Sequence, residues 1–316
     1  MGFFLAKRVA TFAATLAAAS VLIFLVLEVL PGNPAQVILG PDAPASAVDA
    51  LAHKLGVDRP PAERYLDWIG GLLQGDLGTS YAYGTPVGEI VAERLAVSLP
   101  LAILAMILTA ALALSMGIFA AARHNTAGDI GVMALSQLGI AIPSFWLAIL
   151  LILFFAVELR WVSAGGFPGW SAGFWPAIKA LILPAIALTA VQAAILARIA
   201  RSAVLEVSRE DFVRTARAKG LSRGETLRRH VLRNAMIPIV TIMGLQFANL
   251  IAGAIVVENV FYLPGLGRLM FQSIANRDIA VIRDVVMLLA GMVVLVNFAV
   301  DLLYAAIDPR LRAQDV

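Results

Sequence analysis

The sequence predicts an all-α integral membrane protein with six transmembrane helices. Of its 316 residues, 60% are hydrophobic, and the mean hydropathy is +0.87. A typical soluble domain is only about 45–50% apolar. Several apolar stretches approach or exceed the ~18 residues that mark a bilayer-spanning helix, whereas buried helices of soluble proteins rarely have apolar runs longer than ~14 residues. The composition therefore argues against a soluble fold.

The apolar stretches divide the chain into six spans. They are predicted at residues 9–30, 98–122, 131–157, 181–200, 237–257 and 285–307. Lys7 and Arg8 precede the first stretch as they would in a signal peptide, but the apolar run is too long and lacks a clear cleavage site. The predicted organisation is an N-terminal segment with the first span (1–30), a water-exposed loop (31–97) and a core of spans two to six (98–316). That core contains a second polar loop at 201–236.

The distribution of Lys and Arg predicts the orientation. With the N-terminus inside, fifteen of the 24 cationic residues fall in inner segments and crowd the span ends. Cytoplasmic loops carry the excess of Lys and Arg in membrane proteins. We therefore expect both termini inside, the loop at 31–97 to be extracytoplasmic, and the loop at 201–236 to be cytoplasmic.

The inner loop predicts a helix over residues 204–219, a stretch without proline or glycine. Gly220 follows, where a left-handed cap ends a helix at little energetic cost. The face predicted to be apolar consists of Phe212, Val213 and Ala216. An interfacial helix held by anionic lipids is one interpretation. The small residues Ala216, Ala218 and Gly220 favour the other, close docking against a second protein.

The run from Glu210 to Ser222 resembles the cytoplasmic "EAA" loop of ABC-importer permeases. Arg214-Thr-Ala replaces Glu-Ala-Ala before Gly220, as in the dipeptide/oligopeptide/nickel branch of that family. The resemblance implies a coupling helix that lies in a cleft of an ATPase subunit. The coupling residues would be Asp211, Phe212, Arg214, Thr215, Ala216, Arg217, Ala218, Lys219, Gly220 and Leu221.

Other motifs resemble the longer-looped subunit of that branch's permease pair. They are Gly-Asp-Leu-Gly-Thr-Ser at 75–80, Glu-Asn-Val-Phe-Tyr-Leu-Pro-Gly-Leu-Gly at 258–267, Asn-Arg-Asp at 276–278, Asp-Leu-Leu-Tyr at 301–304 and Asp-Pro-Arg at 308–310. The resemblance implies four kinds of partner in a bacterial or archaeal cytoplasmic membrane: the lipid bilayer, a second homologous permease subunit, two ABC ATPase subunits and an extracytoplasmic substrate-binding protein. The expected substrates are di- and oligopeptides, nickel chelates or glutathione-like solutes. The expected docking residues for the binding protein are Gly75, Asp76, Leu77, Gly78 and Ser80.

The sequence predicts neither an enzyme nor a nucleotide-binding chain. No Gly-x-x-x-x-Gly-Lys-Ser/Thr loop occurs, so ATP and Mg²⁺ are expected on the partner ATPases alone. The chain has no cysteine, which excludes thiolate metal sites and cysteine nucleophiles. An intramembrane metalloprotease would need His-Glu-x-x-His, whereas the three histidines, His53, His124 and His230, lack that spacing and are predicted in loops. We expect no catalytic, cofactor or metal site on this chain.

A gradient-driven transporter is the main alternative, and it would need an ionisable couple inside the membrane. The ionisable residues in or beside the spans include Glu28, Glu158, Glu258 and Asp301. All four are predicted near span ends, where water is available. The candidate path residues are neutral: Gln137, Gln192, Gln246 and Asn249. They either line a wet path, which kinks at Pro143, Pro184 and Pro238 would permit, or form hydrogen bonds between helices.

Overall fold

The computed structural model describes residues 2–29 and 33–307, with side chains for 6–29 and 33–302. Within these ranges all regular secondary structure is helical, apart from one isolated β-bridge between Thr79 and Pro86. Leu30 and Pro31 at the predicted end of span one, the Asp-Pro-Arg motif at 308–310 and Arg312 lie outside the described residues. The described part confirms the predicted all-α class.

The helices follow one another along the whole described chain. In order they are α1 (Gly2–Val29), α2 (Pro34–Leu39), α3 (Ala45–Leu55), α4 (Pro61–Gln74), α5 (Val87–Ala122), α6 (Ala127–Ala141), α7 (Ser144–Leu151), α8 (Phe174–Val207), α9 (Asp211–Ala218), α10 (Arg223–Thr226), α11 (Leu232–Val260), α12 (Leu266–Ala275) and α13 (Ile279–Ile307). Helix α7 continues as a π-helix over Ile152–Glu158, a second π-helix over Leu227–Val231 joins α10 to α11, and a 3₁₀ turn covers Trp170–Ala172.

Five stretches of the described chain are long and apolar enough to cross a membrane, and a sixth is a bent pair. That pair, Ala127–Ala141 and Ser144–Glu158, is bent by 96° where one span was predicted over residues 131–157. Ile142 at the break is extended (φ −89°, ψ 118°), as expected of a residue before proline. Pro143 then caps α7. The third predicted span is therefore either a broken span or a re-entrant loop.

The described chain forms two compact units. Unit 1 comprises Leu99–Tyr262 and the chain from Val296 onwards, and unit 2 comprises Gly2–Ser98 and Leu263–Leu295.

Unit 1 is built around α8, which packs against α6, α7 and α11. Small residues allow its backbone to approach its neighbours closely. A Cβ added to Gly117 of α5 would lie 2.6 Å from the carbonyl oxygen of Ala197 and 2.7 Å from Cβ of Ala200. One added to Gly139 of α6 would lie 3.1 Å from Cβ of Ala194. This is the packing expected of helices in a membrane, where small residues replace bulky ones at the contact.

A buried ionic contact joins α6 to α8 in unit 1. Arg201 Nε donates to Asp129 Oδ1 at 2.6 Å, and Arg201 Nη2 donates to Oδ2 at 2.7 Å. The Asp129 side chain is only 4% exposed, and it also accepts a hydrogen bond from the backbone N–H of Asn125 at 3.0 Å. His124 Nδ1 lies 3.0 Å from Arg201 Nη2. The fork of the guanidinium therefore satisfies both oxygens of a carboxylate that would otherwise be buried and uncompensated.

Two apolar clusters lie in the described part of unit 2. The larger one combines the start of α5 with α12 and α13, and its buried members are Val87, Val91, Leu266, Leu269, Met270, Ala280, Val281, Ile282 and Val285. The smaller one consists of Phe24, Trp68 and Met287. In it, Trp68 Nε1 donates to Asp284 Oδ1 at 2.7 Å. Helix α4 buries Trp68 but leaves Leu66 and Leu73 exposed.

The inner loop differs from the prediction in two respects. The helix predicted over 204–219 is interrupted after Val207, because Ser208 Oγ donates to the Val204 carbonyl at 2.6 Å and Glu210 is extended (φ −64°, ψ 148°). Phe212 does not share the buried face but is 42% exposed, since neighbouring positions on a helix point about 100° apart.

All three histidines lie in the predicted segments between spans. His53 belongs to α3, His124 to the turn after α5 and His230 to the π-helix before α11.

We predict that Arg201→Gln lowers the apparent melting temperature of the chain in neutral detergent, because it leaves the buried Asp129 carboxylate without its cation. Breaking such a pair by removing one partner typically costs about 3–5 kcal/mol. The double variant Arg201→Gln, Asp129→Asn should recover part of the loss. Arg214→Gln is the matched control, since Arg214 pairs with Asp211 at the surface. Equal melting temperatures for Arg201→Gln and Arg214→Gln would contradict the assigned role.

Candidate functional site

Helix α9 is a short separate element of unit 1. In the sequence it follows α8 and precedes α10 and α11. Asp211 lies in its first turn and Arg217 in its last, so both charges complement the helix dipole. Gly220 follows with φ +93°, a left-handed conformation that a residue with a side chain rarely adopts. Ser222 and Glu225 then form a capping box that starts α10. Lys219 is the C-cap of α9, and Gly220 is the next residue. The prediction that a glycine ends this helix is therefore confirmed.

The two faces of α9 differ in what they contact. Val213 and Ala216 are 1% and 6% exposed. Val213 belongs to the same apolar cluster as Val204 of α8 and Ala235 of α11. The exposed residues of the predicted coupling set are Asp211, Phe212, Arg214, Thr215, Arg217, Ala218, Lys219 and Gly220, and Leu221 is half-buried. Ala216 is therefore covered by its own chain, and its coupling role stays a prediction.

A groove of about 480 Å³ opens beside the start of α9. It is lined by Ser202, Leu205, Glu206, Arg209, Glu210 and Asp211. Three of these six are carboxylates and one is a cation, so the groove is acidic, whereas the exposed residues of α9 beyond it are mainly basic. A partner that covers both would need complementary charge on two adjoining patches.

The four predicted path residues do not form one group. Gln246 is 3% exposed, and its Nε2 donates to the backbone oxygen of Gln192 at 3.2 Å. It therefore joins α11 to α8, as the interhelical interpretation expects. Gln137 and Asn249 are exposed on the surface of this chain, and Gln192 is half-buried. Exposed amides inside a span need a neighbour other than lipid, either water or another protein.

Two of the family-like motifs meet in unit 2. Asp278 of the 276–278 motif is fully buried. Its carboxylate accepts hydrogen bonds from Ser80 Oγ at 2.5 Å and from the backbone N–H groups of Tyr81 and Ala82, both at 3.1 Å. Its Oδ1 also accepts from the N–H of Val281 at 3.3 Å, at the start of α13. One carboxylate thus anchors the 75–86 loop.

The five residues of that loop that were predicted to dock the binding protein differ in exposure. Ser80 is 2% exposed and donates to Asp278, so it shapes the loop from inside, and its docking role stays a prediction. Gly75, Asp76 and Gly78 are exposed and Leu77 is half-buried. Asp76 Oδ1 accepts from the N–H of Gly78 at 2.8 Å and shapes the turn. These four residues stay a predicted docking surface.

Several buried polar residues were not predicted from the sequence. Glu258 was placed near solvent at a span end, yet it is 1% exposed. Asp129, Arg201 and Asp278 were not singled out for structural roles. A carboxylate within the first two turns of an apolar helix is the signal that could have identified Asp129 in α6 and Asp284 in α13. Among the described residues, no group of three or more His, Asp or Glu is arranged to hold a metal ion.

The chain matches two sequence profiles of one transport family. The profile of the binding-protein-dependent transport system inner membrane component matches residues 113–313. The profile of the N-terminal part of such membrane components matches residues 1–102. Together they account for nearly the whole sequence.

Curated relatives are similar over their full length. A putative peptide transport system permease protein of Brucella abortus is 39% identical over 306 residues, which is 97% of this chain and 98% of that protein. A probable peptide ABC transporter permease protein of Sinorhizobium fredii is 38% identical, covering 99% of this chain and all (100%) of that protein. The glutathione transport system permease protein GsiC of Salmonella choleraesuis is 42% identical, covering 97% of both chains.

The fold also resembles a solved transporter. An inward-facing structure of the MetNI methionine ABC transporter contains a chain that aligns with a TM-score of 0.59 and 20% identity, covering 69% of this chain and 96% of that one. At this identity the likeness shows the fold alone. Taken together, the profiles, the relatives and the apolar helices place this chain in the bacterial inner membrane. It belongs to the binding-protein-dependent transport system inner membrane components, the permeases of ABC importers, in the peptide/nickel branch.

Proposed function

We propose that this chain is the translocating subunit of an importer for di- and oligopeptides or glutathione-like solutes. It would pair with a second homologous permease, receive substrate from an extracytoplasmic binding protein, and be driven by ATP hydrolysed on two partner ATPase subunits. The observation that carries the proposal is α9, a short helix with one face packed into the core of unit 1 and the other exposed. The names of the similar permeases support the substrate class.

The packing of α9 supports a mechanical role. Val213 is in the same cluster as Val204 near the end of α8 and Val231 just before α11. Because this core is close-packed, a partner that displaces α9 would displace the ends of both long helices with it. In the proposed cycle, closure of the ATPases moves α9, and the spans then exchange outward for inward access.

Gln137 and Asn249 are exposed amides on unit 1, the unit that contains α9. They support either a translocation path or a contact with a second subunit there. Gln192 is the third candidate, whereas Gln246 has a structural role in this arrangement. Under the proposal, the second permease covers this polar surface and the two subunits enclose the path between them.

The proposed topology places both termini and the loop at 201–236 in the cytoplasm, and the loop at 31–97 outside. We expect a cysteine at Ser46 to react with an impermeant maleimide in intact cells, and a cysteine at Lys219 to react only after permeabilisation. Both positions are exposed, and the native chain has no cysteine to give background. Labelling at Lys219→Cys in intact cells would reverse the orientation.

The coupling role predicts different effects for two neighbouring alanines of α9. Ala218→Leu should reduce substrate-dependent uptake while the melting temperature stays at the wild-type value, because Ala218 is exposed toward the proposed ATPase cleft. Ala216→Leu should lower the melting temperature, since overfilling a packed core typically costs about 1–3 kcal/mol. Uptake and thermal unfolding of both variants are measured in the reconstituted complex.

Gly220 is unsuitable for the same comparison, because its positive φ would strain any larger residue even though nothing lies within 4 Å of an added Cβ. The coupling role would be rejected if Ala218→Leu imported substrate at the wild-type rate with the ATPases still bound.

We expect uptake by the reconstituted complex to require both ATP and the binding protein. The alternative is a gradient-driven carrier, and the buried Glu258 is the feature that favours it. The measurement is uptake of a labelled dipeptide into proteoliposomes, with ATP, the binding protein or a proton gradient omitted in turn. Uptake by this chain alone under a proton or sodium gradient, without ATP, would overturn the importer proposal.

A further inference from the structure

Unit 2 contains a partly open cavity of about 260 Å³ that neither the proposed path nor the coupling helix uses. It is bounded by the end of α1, by α3 and α4, by the loop at 75–81 and by the first turn of α13. Its apolar walls include Phe24, Leu27, Trp68 and Leu77. The volume lies just below the ~300–1,000 Å³ of pockets for drug-sized ligands. It therefore suits a smaller solute.

Six charged side chains line this cavity, and four of them neutralise one another. Arg59 Nη1 donates to Asp67 Oδ2 at 2.6 Å, and Arg64 Nη2 donates to Glu28 Oε1. The remaining cation is Arg283 and the remaining anion is Asp76. The cavity thus has one positive and one negative group without a hydrogen-bonded ion-pair partner.

Arg283 is held in place without using its hydrogen-bond donors. Its guanidinium lies over the Trp68 ring, 4.8 Å from the centroid. Its Nε is 3.8 Å from Asp284 Oδ1, beyond hydrogen-bond distance, and its side chain is only 17% exposed. Among the described residues none accepts a hydrogen bond from this guanidinium. A largely buried cation with unused donors is costly unless a ligand or water satisfies it.

Two further groups complete the lining. Burial raises the pKa of the Tyr81 hydroxyl above its ordinary value, so the phenol keeps its proton and can donate. Asp76 accepts one hydrogen bond, from the N–H of Gly78, through Oδ1. No cation in the described ranges lies within ion-pair distance of Asp76. The anchoring of the loop by Asp278 fixes the positions of both residues.

We propose that this cavity binds a small zwitterion, an α-amino acid or a short peptide, with its carboxylate on Arg283 and Tyr81 and its ammonium group on Asp76. The planar fork of arginine matches a carboxylate, and a carboxylate such as that of Asp76 is the natural acceptor for an ammonium group. The apolar walls would hold the side chain of the ligand. The site involves none of the proposed coupling or path residues, but it shares Asp76, Leu77 and Gly78 with the predicted docking surface for the binding protein.

The test measures binding of alanyl-alanine to the purified full-length chain in dodecyl maltoside by isothermal titration calorimetry, without ATP or partner subunits. The unmodified dipeptide should bind, whereas its N-acetylated and C-amidated forms should each bind at least tenfold more weakly. Arg283→Gln and Tyr81→Phe should weaken binding of the dipeptide, Arg283→Gln by at least tenfold. Asp76→Asn keeps the acceptor for Gly78 and should abolish the discrimination against the N-acetylated form.

Arg160→Gln removes an exposed cation outside the cavity and is the matched control, with unchanged affinity expected. Tyr81→Phe removes only a hydroxyl, so a loss of affinity at an unchanged melting temperature reports on the site rather than on folding. The proposal is overturned if the wild-type chain does not bind the dipeptide, or if Arg283→Gln, Tyr81→Phe and Asp76→Asn leave binding unchanged. It is equally overturned if native mass spectrometry finds phosphatidylethanolamine in the cavity, retained by the wild type and released by Arg283→Gln, with no dipeptide binding. None of these results bears on ATP-driven uptake, so the importer proposal is tested separately.

Discussion

The close approach of α8 to its neighbours is the constraint on which unit 1 depends. In lipid there is little hydrophobic gain from bringing helices together, so van der Waals contact between backbones has to provide the attraction. Glycine and alanine at Gly117, Gly139, Ala194 and Ala197 permit that contact. Two of the polar contacts that α8 makes with other helices follow from it. Thr189 Oγ1 reaches the Ala105 carbonyl at 3.1 Å, and Gln246 reaches the Gln192 carbonyl, only because the helices are already close.

Polar anchors at the helix ends supply the specificity that small-residue packing lacks. Alanine faces can slide past one another with little loss of contact, whereas the bidentate pair of Arg201 and Asp129 has one geometry. A unit held in this way is fixed where Arg201 pairs with Asp129, whereas its helices can shift along their alanine faces. Shear of packed helices is one of the known ways in which proteins change conformation, and it needs smooth contacts of this kind.

The sequence predicted the features that local chemistry determines and missed those that depend on distant partners. Apolar runs located the spans, Pro143 was one of three prolines at which a kink was expected, and glycine located the stop after α9. The 96° bend, the interruption at Ser208 and the burial of Ser80 were not predictable in this way. Ser80 and Asp278 are 198 residues apart, and Asp129 and Arg201 are 72 apart, so no local periodicity links either pair.

The candidate sites were predicted less fully than the fold for the same reason. The sequence predicted α9 as a docking element but assigned Ala216 and Phe212 to the same face, because helical spacing alone does not decide which side the rest of the chain covers. Val213 packs in one cluster with residues of α8 and α11 and Ala216 is also buried, whereas Phe212 and Ala218 are exposed. A helix that transmits force to the core needs such a division. The face that is buried in its own chain makes the helix part of the core, and the exposed face is the one that evolution can adjust to a partner without destabilising the fold. The residues that fix partner choice should therefore be sought on the exposed face.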